Sequence, residues 1–167
     1  TGNLGDSFLG LQILKKKINI NRKINNYFIS KYFQPNIQIT LSKKLFNFAN
    51  SSIDISDGLI ADLEKMMNRQ NFSYLLYESK IPVSKNLLNL IKNYKYKKLE
   101  LVSNGDDYQV LFTAKTNKSR IINKTSKALG VKITKIGKII SGNKENTIID
   151  EKGKEILIKN KGYIHKF

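Results

Sequence analysis

The run Ile53-Asp54-Ile55-Ser56-Asp57-Gly58-Leu59 constrains this chain more than any other stretch, because the apolar pattern changes period inside it. Ile53 and Ile55 alternate with Asp54 as a short strand does, whereas Leu59, Ile60, Leu63, Met66 and Met67 recur at helical spacing. The junction between strand and helix therefore carries two carboxylates three residues apart, a hydroxyl and a glycine. Asp57 falls near a helix N-terminus, where unpaired N–H groups and aligned peptide dipoles favour an anion, either a carboxylate or a phosphate. Gly58 lets backbone come close to a ligand. Hard oxygen donors in a chain with no Cys and one His suit magnesium, which binds through one or two carboxylates plus substrate phosphates. A purely structural role is equally open at this point: Ser56 or Asp57 as the helix N-cap, with Asp54 a solvated strand end.

Three other segments concentrate turn chemistry and acidic or aromatic groups. Thr1-Gly2-Asn3-Leu4-Gly5-Asp6-Ser7 is a Gly-rich turn opening a helix, which exposes N–H groups to a phosphate or is capped by Asp6 or Ser7. Ser103-Asn104-Gly105-Asp106-Asp107-Tyr108 is a turn leading into a strand that alternates at Tyr108, Val110 and Phe112. Lys161-Gly162-Tyr163-Ile164-His165 lies near the C-terminus. Between them, the pattern predicts a polar loop over 15–26, a helix over 26–33 stopped by Pro35, and a short helix over 42–50. Next come a helix over 57–69, a strand over 72–77, and a helix capped by Ser84 that buries Leu87, Leu88, Leu90 and Ile91. A helix over 117–129 turns Ile121, Ile122, Thr125, Ala128 and Leu129 inward and ends at Gly130. A strand over 131–140, broken at Gly137, and a hairpin pairing 147–149 with 155–158 complete the chain. The irregular alternation of strands and helices argues for an α/β (α+β) domain, a mixed β-sheet flanked by helices.

These four segments, in this order, resemble thiamine-monophosphate kinase, most closely in the run Ile-Asp-Ile-Ser-Asp-Gly-Leu-Ile-Ala-Asp-Leu that begins at Ile53. The related synthetases for aminoimidazole ribonucleotide and selenophosphate differ where Ser-Asp-Gly stands here. The resemblance implies the C-terminal domain of an aminoimidazole-ribonucleotide-synthetase-like protein, with residues 1–167 a single substrate- and magnesium-binding domain. An N-terminal ATP-binding domain would precede it, so the chain alone is expected to be inactive. It further implies transfer of the γ-phosphoryl of ATP, the co-substrate, to thiamine monophosphate. Asp54 and Asp57 would be magnesium ligands, Ser56 would touch ATP, and Asp106 and Tyr163 would contact thiamine monophosphate, with His165 in support. Asp106 stands where the family usually has Glu, one methylene longer. No residue is assigned a covalent catalytic role, and the whole enzyme is expected to be a homodimer assembled mainly through its N-terminal domains. Two other readings are a non-catalytic phosphate-binding remnant of the same fold and a basic nucleic-acid-binding domain.

The length and a hydrophobic content of 40% suffice for one real core. No stretch reads as a membrane span or a signal peptide, and the lack of Cys is compatible with the cytoplasm. The formal charge of +17 raises nucleic acid as a partner, but the lysines are spread along the chain among Asn and Ile instead of forming one block. We read this as compositional bias, with no specific nucleic-acid partner. Any DNA or RNA binding is then expected to be weak, indifferent to sequence and lost with salt, through counterion release. Fluorescence anisotropy across a potassium chloride series checks this; a sequence-specific complex that survives high salt contradicts it.

Overall fold

The computed structural model describes residues 1–157 and Gly162, apart from Asn19, Arg69, Lys95 and Asn143. In chain order the regular elements are α1 (Asp6–Leu14), α2 (Arg22–Phe33), α3 (Ile39–Ser42), β1 (Ala49–Asp54), α4 (Leu59–Met67), β2 (Phe72–Tyr77), α5 (Lys85–Tyr94), α6 (Lys98–Val102), β3 (Val110–Ala114), α7 (Ser119–Leu129), β4 (Gly137–Ser141) and β5 (Thr147–Ile149). The expected mixed sheet is present, but the strands divide. β2 lies between an antiparallel β4 and a parallel β5, while β1 and β3 form a separate antiparallel pair in which Asp54 faces Val110.

Two apolar cores hold these layers. One gathers Ile55, Leu59, Ile60 and Leu63 around α4 with Tyr74 and Leu76 of β2, Leu111 of β3 and Ile148 of β5. The other packs Leu9 and Ile13 of α1 on Phe28 of α2 and Leu87 and Leu90 of α5. Among the described residues no helix is long and apolar enough to cross a membrane.

Several expectations change, each for a tertiary or capping reason. Helix α2 starts at Arg22, inside the segment read as a loop, because the Asn21 side chain accepts a hydrogen bond from Ile24 N–H at 3.0 Å and caps it. The helix expected over 42–50 breaks into α3 and a 3₁₀ turn at Leu45–Asn47. There Phe46 is 85% exposed, while Phe48 is buried with its ring 5.4 Å from Phe112, which draws the following residues into β1. Residues 131–136 are not a strand; pairing with β2 becomes regular only at Gly137, where a Cβ would lie 2.4 Å from the Leu75 carbonyl oxygen. Leu88 is exposed. Helix α7 ends at Gly130 as expected but has no buried residue; its Ile122 lines an open, largely apolar cleft of about 850 Å³ bounded by strands of both sheets. The last hairpin is reduced to β5 and a single bridge from Ile149 to Glu155, and Ile158 lies outside the described residues.

What positions the loops is a set of backbone contacts at the ends of β1 and β3. Ile55 N–H donates to the Gln109 carbonyl at 2.8 Å, Tyr108 N–H to the Ile55 carbonyl at 2.8 Å, and Asp106 N–H to the Ser56 carbonyl at 2.9 Å. The approach is so close that a Cβ on Gly105 would fall 1.7 Å from the Ser56 carbonyl oxygen, and one on Gly58 would fall 2.0 Å from that of Ser103. Only glycine fits at either position. In the same loop Asp106 and Tyr108 hold left-handed backbone, with φ of 69° and 50°, a conformation that costs on the order of 1 kcal/mol each and persists where surrounding bonds impose it.

Asp107, between them, is buried, and its carboxylate accepts from Gly5 N–H at 2.7 Å and Ser7 N–H at 3.4 Å. It thereby caps α1 from 102 residues away in sequence, where neither Asp6 nor Ser7 does so. Burial pushes this carboxyl up to about 8, against the opposing effect of the two N–H donors. A carboxyl whose folded pKa lies above its unfolded value of 3.8 adds most stability below that lower value and loses it as the pH rises toward 8. The thermal midpoint of Asp107→Asn, which keeps an acceptor for Gly5 N–H, should therefore gain on that of the original chain as the pH rises from 5 to 8. An unchanged difference between the two would assign the pH dependence to other groups.

Candidate functional site

The end of β1 presents Asp54 to solvent, and the chain then turns through residues 55–58 into α4. The side chain that organises this turn is Asp62, inside the helix and 1% exposed. Its Oδ2 accepts from three successive N–H groups, those of Ser56 at 2.9 Å, Asp57 at 2.9 Å and Gly58 at 3.1 Å. Bonds of this charge-assisted kind contribute about 1.5–3 kcal/mol each. Neither Ser56 nor Asp57 caps the helix with its side chain, so the structural reading of those two residues does not hold. Asp62 thus takes the N–H groups of the turn into α4, and Asp107 takes two N–H groups at the start of α1.

Asp57 is then not a cap of α4. Its carboxylate pairs with the Lys65 ammonium, which also donates to Asp62 Oδ1 at 2.9 Å. Asp106 faces it from the second loop: its carboxyl is raised by burial first and by the Asp57 charge second, with Lys15 opposing. The backbone bond from Asp106 N–H to the Ser56 carbonyl brings Ser56 to the same junction, where its hydroxyl takes no part in the backbone bonding. Gly162 arrives there too. It is buried, and a Cβ on it would lie 2.4 Å from Ala61 Cβ and 2.8 Å from the Asp57 carbonyl oxygen. The Ser56–Gly58 turn, the Ser103–Asp106 turn and Gly162 thus meet in one place, and the first segment is tied to the second turn through Asp107. Tyr163 and His165, expected beside Gly162, lie outside the described residues.

As a metal site the junction is incomplete in a particular way. Among the described residues no group of three or more His, Cys, Asp or Glu side chains gathers around one point. Asp54 and Asp57 offer hard oxygens only, and the Asp57 charge felt at Asp106 favours cations nearby, as Lys65 and Lys15 already are. That donor set fits an ion that takes one or two protein carboxylates and completes its shell with phosphate oxygens and water, as magnesium does.

Sequence reasoning gave no role to Asp62, Lys65 or Asp107. For Asp62 a signal existed: it is three residues after Leu59 and one before Leu63, on the apolar stripe of its helix, and a buried carboxylate needs donors. For Asp107 there was none, since its partners are 100 and 102 residues away.

No protein-family model matches the chain. The thiamine-monophosphate kinase of Buchnera aphidicola subsp. Schizaphis graminum is 38% identical over 166 residues, 99% of this chain and 51% of the relative. Among solved structures, AaThiL complexed with AMPPCP and TMP is 27% identical with a TM-score of 0.75, covering 98% of this chain and 50% of that one. Escherichia coli HypE, 12% identical with a TM-score of 0.71, shares the fold. The chain spans about half the length of the curated relatives it matches. Over that half, which includes all four segments, it belongs to the thiamine-monophosphate kinase family.

Proposed function

We propose that the protein to which this chain belongs phosphorylates thiamine monophosphate with ATP, giving thiamine diphosphate, and that residues 1–167 form its C-terminal domain. The observation that carries this reading is the meeting of the Ser56-Asp57-Gly58 loop, the Asp106 loop and Gly162 at one junction. It is supported by the named relatives and by the solved relative complexed with AMPPCP and TMP.

The reaction needs no covalent enzyme intermediate. An oxygen of the acceptor phosphate forms a bond to the γ-phosphorus, the bond from that phosphorus to the β,γ-bridging oxygen breaks, and its electron pair leaves on ADP. Two anions must be brought into line, so the protein's contribution is position and charge. Asp54 and Asp57 would hold magnesium, which when bound neutralises phosphate oxygens. Ser56 would present its hydroxyl to ATP phosphate, and Asp106 and Tyr163 would contact thiamine monophosphate. Asp106 is held in left-handed backbone by the Ser56 carbonyl, which fixes its reach despite the shorter side chain. Magnesium as the cation, a homodimeric whole enzyme and a cytoplasmic location are the finer parts of the proposal and follow from the family resemblance.

In the full-length enzyme Asp57→Asn should lower turnover by on the order of a hundredfold or more, with little change in thermal stability. The fold should survive because Asp62, not Asp57, caps α4, and the pair that Asp57 makes with half-exposed Lys65 is of a kind that contributes about 0–1 kcal/mol. Turnover against magnesium concentration, with thermal unfolding alongside, decides the matter. Near-normal rates at ordinary magnesium would remove Asp57 from the site.

A further inference from the structure

Lys65 bridges Asp57 and Asp62, two carboxylates in very different surroundings. Asp62 is buried and already fixed by three backbone N–H groups on Oδ2, so Lys65 adds one bond on Oδ1 to a group that is held without it. Asp57 stands at the junction, facing Asp106, and the Lys65 ammonium is a fixed-charge partner of its Oδ2. The Lys65 side chain is 50% exposed, on a flexible four-carbon stem. It can leave Asp57 for solvent without unpacking the helix, and Asp62 remains as an anchor from which it can return. An exposed ion pair of this kind is weak, whereas a divalent cation beside phosphate is held by several oxygens.

We propose that Lys65 is a built-in counter-cation of the site: it neutralises Asp57 when no divalent ion is bound and is displaced from it when one binds. This rests on the reading of Asp57 as a metal ligand. Lys65 is then a positioning residue that sets the threshold at which the site loads. Its ammonium holds the Asp57 carboxylate in place between turnovers and competes with the ion for the same oxygen.

The test is binding of manganese(II) alone, without nucleotide, to the full-length protein, read by electron paramagnetic resonance, with thermal unfolding to confirm that each variant folds. Lys65→Gln should tighten manganese binding by about two- to fivefold, the range expected when a weak exposed ion pair no longer competes. Lys65→Arg, which keeps the charge, should stay near the original affinity, and Lys65→Gln should have no effect once Asp57→Asn is present. Weaker or unchanged binding in Lys65→Gln, with binding still lost in Asp57→Asn, would overturn the counter-cation role while leaving Asp57 as a ligand. Unchanged binding in Asp57→Asn would overturn both.

Discussion

Two loops pressed backbone to backbone set the geometry of this domain. The bonds Ile55 to Gln109, Tyr108 to Ile55 and Asp106 to Ser56 continue the β1–β3 ladder beyond its last regular pair, and glycines at 58 and 105 allow the chains to come closer than any side chain permits. Everything at the junction follows from that contact. It puts Asp106 opposite Asp57, imposes left-handed backbone on Asp106 and Tyr108, and turns Asp107 away from solvent toward α1. Gly162 then packs over the start of α4, against both loops.

A second constraint concerns where the N–H groups of the two Gly-rich turns go. Those of Ser56, Asp57 and Gly58 are held by Asp62 of α4, and those of Gly5 and Ser7 by the Asp107 carboxyl group of the opposite loop. These five N–H groups are therefore not open to a phosphate, which such Gly-rich turns otherwise receive. In the proposed reaction recognition would fall to side chains at the loop surface, namely Asp54, Ser56, Asp57 and Asp106. A site assembled this way favours a cation as intermediary between protein carboxylates and phosphate, because like charges otherwise face one another.

The parts of the fold that were legible in the sequence depend on local chemistry. The period change at 53–59, the strand Phe72–Tyr77, the Ser84 hydroxyl accepting from Leu87 N–H at 3.0 Å and the stop at Gly130 are all written in neighbouring residues. The parts that were not legible depend on distant ones. The amphipathic pattern of α7 says which side is apolar but not that none of its residues is buried. A strand over 131–136 has the right residues, yet β2 offers regular pairing only from Gly137 onward. At the site, the spacing of Asp54 and Asp57 was visible, but the electrostatic coupling of Asp57 with Asp106, 49 positions away in sequence, was not.

The central claim is that the interlocked loops hold Asp57 and Asp106 within electrostatic reach of each other. Carbon-13 NMR titration of the Asp106 carboxyl, in the original chain and in Asp57→Asn, measures that coupling directly. The account predicts an Asp106 titration above the ordinary carboxylate range that moves down when the Asp57 charge is removed, because part of the shift comes from that charge. An Asp106 titration that stays where it was in the variant would mean the two carboxylates do not share a site.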